Sequence, residues 1–104
     1  MRDDLFLKGP WVLAAFRSRQ QVMQADSLMR RRGIATSIVT TPRAIAVGCG
    51  LSLQALEKDV EIVRDVLRKI PRDSLVGLYS FEGVSGSRVD VTPIGLENPQ
   101  VNPG

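Results

Sequence analysis

The chain contains no histidine and only one cysteine, Cys49. Without imidazole it lacks the commonest general base and the commonest metal ligand. Serine–histidine and cysteine–histidine catalysis within one chain are therefore excluded. A zinc site would have to be built from carboxylates and a single thiolate, an uncommon ligand set, so no metal and no cofactor are expected. One thiol cannot close an intrachain disulfide, and the cysteine framework of small secreted domains is missing. Apolar runs such as Trp11–Phe16 and Ala44–Val47 are far too short to cross a bilayer as a helix. The opening Met1-Arg2-Asp3-Asp4 has acid where a secretory signal has a positive flank. A cytoplasmic protein with no membrane association is expected.

The 104 residues, 43% of them apolar, suit one domain with one modest core. Fourteen basic residues against eleven acidic ones leave a net charge of +3, too small an excess to point to nucleic acid by itself.

Residues 1–9 form a polar lead-in ending at Gly9-Pro10. Trp11–Phe16 reads as a strand apolar on both faces, as in a sheet centre. Ser18 followed by Gln21 is a capping-box pattern, and Val22, Ala25, Leu28 and Met29 recur at helical spacing. Arg30-Arg31-Arg32 and Gly33 close that helix. Cations suit the negative end of the helix dipole and glycine a left-handed cap; the other reading of the triple arginine is a phosphate site.

Ile34–Thr40 is a more polar strand, expected nearer an edge. Thr41-Pro42-Arg43 breaks it, and Ala44–Val47 reads as one helical turn or an irregular loop. Leu51–Ala55 alternates as a strand with one buried face. Asp59 caps a second helix with a stripe of Val60, Val63, Leu67 and Ile70, stopped by Pro71. Leu75–Phe81 is a fourth strand. Residues 84–104, rich in Gly, Pro, Ser and Asn, read as a loose tail in which Val89-Asp90-Val91 offers a short edge pairing.

The order strand–helix–strand–strand–helix–strand is that of the split βαβ, or ferredoxin-like, sandwich. This predicts a mixed α/β domain over residues 10–83, with both helices on one face of a four-stranded sheet. The other face would carry Trp11 and Leu13, or else Val12 and Phe16. Its cover would be the C-terminal tail or a second subunit, making a homodimer. Glu57, Asp59, Glu61 and Asp65 read as solvated helix faces, which argues against a turnover enzyme.

Cys49 lies between Gly48 and Gly50, in the loop that also holds Thr41, Pro42 and Arg43. Glycine on both sides lets backbone amides approach an anion, and a thiolate is such an anion. Arg43 would stabilise it, Thr41 would add a hydroxyl and Pro42 would stiffen the loop. Alternatively, Cys49 is a small buried hydrophobe, as free cysteine often is.

Phe16-Arg17-Ser18 with Val22-Met23-Gln24-Ala25-Asp26, the Thr41-Pro42-Arg43 turn, and Cys49-Gly50 opening a strand together resemble a family of small bacterial selenium/sulfur carrier-like proteins. The resemblance runs from about Trp11 to Gly83. It implies a carrier whose Cys49 thiolate takes sulfane sulfur or selenium from a desulfurase-like donor, holds a persulfide or selenosulfide, and passes the atom to an acceptor protein. A second reading is a non-enzymatic interaction module that docks through the open sheet face and has a structural cysteine. A third, nucleic-acid binding through Trp11 and Tyr79, has only five aromatic residues and no RNP-like motif behind it.

Overall fold

The computed structural model describes residues 10–45, 48–86 and 88–96. Five strands, β1 (Trp11–Phe16), β2 (Thr36–Thr40), β3 (Leu51–Leu56), β4 (Leu75–Ser85) and β5 (Arg88–Pro93), form one sheet in the order β2-β3-β1-β4-β5. Every neighbouring pair is antiparallel. Two helices, α1 (Arg19–Arg31) and α2 (Val60–Leu67), complete the mixed α/β fold.

β1 is apolar throughout because it is enclosed on both faces: all six residues are buried. Val12, Ala14 and Phe16 meet Leu53, Ala55 and Leu78 and the stripes of both helices, Val22, Ala25 and Met29 from α1 with Val63, Val66 and Leu67 from α2. Trp11, Leu13 and Ala15 look the other way and join Ile45, with Val39, Phe81, Val89 and Val91 packed around them. The Trp11 ring lies on Phe81, with centroids 4.6 Å apart and planes 30° apart.

The four-stranded ferredoxin-like sandwich expected from the element order differs in detail from this sheet, which has a fifth strand. That strand comes from the segment read as a loose tail. It extends the short edge pairing expected at Val89-Asp90-Val91 to Arg88–Pro93, and Val89 and Val91 supply its apolar face. The β4–β5 register shifts between Phe81 and Gly83, and such an irregularity bends a hairpin. Val89 thereby lines one cavity with Val39 and Pro42 from the far edge. The outer residues of β1, whose exposure suggested a second subunit, are thus covered within the chain, with Trp11 and Leu13 at 4% and 1% exposure.

Beyond β5 the chain is pinned to α2. Arg64, buried on that helix, donates to the Gly95 and Ile94 carbonyls and to Glu61, and Arg68 donates to the Leu96 carbonyl at 2.6 Å. Residues 97–104 and the lead-in 1–9 lie outside the described residues.

Other local expectations shift too. Leu51–Ala55, read as half-buried, is enclosed on both faces, with Ser52, Leu53, Gln54 and Ala55 all buried, because β3 lies inside the sheet. Ser18 stands at the N-cap of α1 with extended backbone but makes no side-chain cap bond, and neither does Asp59 before α2. Two of the three arginines closing α1 are held by carboxylates, Arg30 by Asp26 at 3.2 Å and Arg32 by Asp65 at 2.6 Å. Asp26 also accepts the Thr36 hydroxyl. Among the described residues no helix is long and apolar enough to cross a membrane.

Candidate functional site

Residues 41–50 connect β2 to β3, and the Thr41 amide donates to the Gly50 carbonyl at 2.9 Å to close the loop. Its first half is anchored on the outer face. The Ile45 amide bonds back to the Pro42 carbonyl at 3.0 Å, making a tight turn. The Ile45 side chain is buried with Trp11 and Leu13, and Pro42 is half-buried in a cavity wall beside them. The Thr41 hydroxyl lies 2.7 Å from that of Ser52. Residues 46 and 47, half of the stretch read as a helical turn or loop, fall outside the described residues.

The second half crosses to the other side of the sheet. Cys49 packs against the helix-side core, and its amide donates to the Phe16 carbonyl at 2.9 Å, at the end of β1. Both flanking glycines have left-handed backbone, with φ +110° at Gly48 and +88° at Gly50. Gly48 is the more constrained: a Cβ there would stand 2.6 Å from the Phe16 carbonyl oxygen and 3.1 Å from a Val76 methyl. Gly50 has open space around it. The two glycines therefore let the chain press against the end of β1 and turn out into β3, holding a half-buried cysteine between them.

The Cys49 thiol donates to the Leu51 carbonyl at 3.8 Å, a long contact even for sulfur. Of the residues singled out with it, Gly48 and Gly50 are its covalent neighbours. Thr41 and Pro42 belong to the outer-face anchor, and Arg43 is exposed at the tip of the turn. Among the described residues neither Arg43 nor Thr41 bonds to the thiol, and no cluster of three metal-ligating side chains occurs.

What sequence reasoning did not place beside Cys49 is the β1–α1 junction. Phe16 holds the Cys49 amide, the Arg17 amide donates to the Ser74 carbonyl at 2.8 Å, and Ser18 opens α1 without spending its hydroxyl on the cap. Arg17 and Arg19, which follow Phe16 in the chain, are exposed. The signal was present: Phe16-Arg17-Ser18 is one of the three segments that carry the family resemblance.

Comparison with known proteins gives one match. The model of a family described as "Putative Se/S carrier protein-like" matches residues 12–73, more than half of the chain, covering β1 from its second residue and all of α1, β2, the Cys49 loop, β3 and α2. No curated protein and no solved structure matches the chain.

Proposed function

Because the chain belongs to the Se/S carrier protein-like family, we propose that it carries a sulfur or selenium atom on Cys49 between a donor protein and an acceptor protein. The observation that carries this reading is the placement of the chain's one thiol. It is half-buried at the rim of the sheet, between two left-handed glycines, in a loop fixed on both sides. A carrier needs its nucleophile presented in a set position and needs no turnover machinery.

In the sulfur case the Cys49 thiolate attacks the outer sulfur of a donor persulfide. A new S–S bond forms at Cys49, the donor S–S bond breaks, and the electron pair leaves on the donor thiolate, so nothing is oxidised or reduced overall. Delivery repeats the step, with an acceptor nucleophile attacking the outer sulfur and Cys49 leaving. Gly48 and Gly50 set the backbone for this. Thr41 and Pro42 hold the loop, while Arg43 supplies a cation for the persulfide anion from the turn tip.

Incubation with a cysteine desulfurase and cysteine tests the reading. The protein should gain the mass of one sulfur atom, lose it to dithiothreitol, and fail to gain it as Cys49→Ala. An unchanged mass, or a gain that survives in Cys49→Ala, overturns it.

A further inference from the structure

β2 and β5 are the two edges of the sheet, and they are built differently. β5 carries Asp90 and ends in Pro93, and charge and proline are usual guards of an exposed edge. β2 reads Thr-Ser-Ile-Val-Thr, without charge, proline or a break in its pairing. Its free groups follow from the register. The Thr41 amide bonds to the Gly50 carbonyl in line with the Val39–Ser52 pair, and bonded pairs alternate along an antiparallel ladder. The odd-numbered residues of β2 therefore bond inward to β3. The other side of β3 agrees, since the Glu57 amide bonds to Pro10 and commits the odd-numbered residues of β3 to β1. Thr36, Ile38 and Thr40 are left with N–H and C=O groups directed off the sheet, and among the described residues no strand or loop bonds to them.

α1 flanks this edge. Thr36 donates its hydroxyl to Asp26, and Arg19, Met23, Asp26 and Arg30 recur at three- and four-residue spacing on that side of the helix. Met23 is 59% exposed, the one large hydrophobic side chain so placed among the described residues. Arg19 is exposed and makes no ion pair among them. β1 and β2 are both antiparallel to β3, so the helix joining them runs back against β2. The climb of about 6.6 Å from Thr36 to Ile38 then corresponds to about four residues back from Asp26 along α1. Met23 is the outward residue nearest the level of Ile38.

We propose that β2 pairs edge to edge with β2 of a second copy of this chain, on a two-fold axis through Ile38, joining the two sheets into one. The edge is its own complement: Ile38 pairs with the second copy's Ile38 and Thr36 with its Thr40, each pair exchanging N–H···O=C bonds. The same axis sets the two α1 helices antiparallel on one face. The Met23 side chains then cover each other beside the axis, and Arg19 of each copy comes to Asp26 of the other. Charge is thus complementary as well as hydrogen bonding. The Cys49 loops follow Thr40 and fall at opposite ends of the paired strands, so the pairing is independent of the carrier reading and keeps the two thiols apart.

Light scattering of the full chain at tens of micromolar should give twice the 11.4 kDa of one copy. Hydrogen exchange at that concentration should find the amides of Thr36, Ile38 and Thr40 slow. Met23→Lys, a change at an exposed position, sets two like charges beside the axis and should weaken the pairing about a hundredfold. Its mass should fall to that of one copy and the three amides should exchange fast, while its circular dichroism stays that of the parent. A monomeric parent overturns the proposal, and slow β2 amides in that monomer would show that the chain's own remaining residues cover the edge. A dimer that Met23→Lys does not weaken, or one whose three amides exchange fast, overturns it as well, because the copies then meet elsewhere.

Discussion

The two faces of the sheet are covered by different means, and they differ in what they bury. On the helix side, β1 meets a continuous apolar layer from α1 and α2, and Phe16, Val22 and Met29 are wholly enclosed. On the outer side the cover is the bent β4–β5 hairpin and the β2–β3 loop, and the buried set includes Ser37, Ser52 and Gln54. A face closed by rigid helices can be filled with hydrocarbon to native density. One closed by a hairpin and a loop keeps a cavity and polar groups, at some cost in stability. The first face holds the domain together; the second is the looser cover and keeps a cavity of about 150 Å³. Cys49 sits where they meet, because its loop has one foot on each.

The largest expected effect tests that division directly. Phe16→Ala empties the helix-side core and should cost about 3–5 kcal/mol, whereas Val39→Ala, at the half-buried cavity wall, should cost only about 1 kcal/mol. Urea unfolding of the two variants reads the difference, and equal losses would erase the distinction between the faces. Arg64→Leu should come next, at about 2–3 kcal/mol, because it removes charge-assisted bonds that hold the Gly95 and Ile94 carbonyls on α2. Limited proteolysis should then cut near residues 94–96 before the sheet unfolds. A variant as resistant as the parent would show that β5, not the clamp, holds this end.

The two glycines of the Cys49 loop sharpen the comparison at finer grain. Gly48→Ala meets a carbonyl at 2.6 Å as well as a left-handed backbone, and should cost about 2–3 kcal/mol. Gly50→Ala meets only the backbone term, about 1 kcal/mol. Thiol labelling should follow the same order, with Cys49 displaced in the first variant and nearly undisturbed in the second.

These contrasts also show what could be read from residues alone. The helix stripes, the Gly33 end of α1 and the doubly apolar β1 were legible, because 3.6-residue periodicity and a continuous apolar run each have one structural meaning. The enclosure of Gln54 was not, since alternating Leu-Ser-Leu-Gln-Ala reads equally as a strand with a wet face. Only the position of β3 inside the sheet decides it. The fifth strand was legible only in part: Val89-Asp90-Val91 offered a short edge pairing, but the surrounding Gly and Pro hid that it runs over Arg88–Pro93. At the site, the flanking glycines were visible but their task was not. Gly48 is small because of a carbonyl that belongs to Phe16, more than thirty residues earlier in the chain.

The smallest expected effect separates the faces by pH. Asp65 on α2 accepts from Arg32 at the end of α1, at 2.6 Å, and from Lys69, at 3.2 Å. The Arg32 hydrogen bond, followed by that of Lys69, holds its carboxyl below the usual carboxylate range. A carboxyl lowered in the folded state contributes stability that is complete above its unfolded value and disappears as pH falls through the folded one. Acid should therefore loosen the α1–α2 contact while leaving the outer hairpin untouched by this group. Because the pair is exposed, the contribution is slight and added salt screens it. Asp65→Asn should flatten the acid limb of the stability curve at low salt and change nothing at high salt. Hydrogen exchange should place the residual change in α1 and α2; a change of equal size in β4 and β5 would mean that the faces respond as one unit.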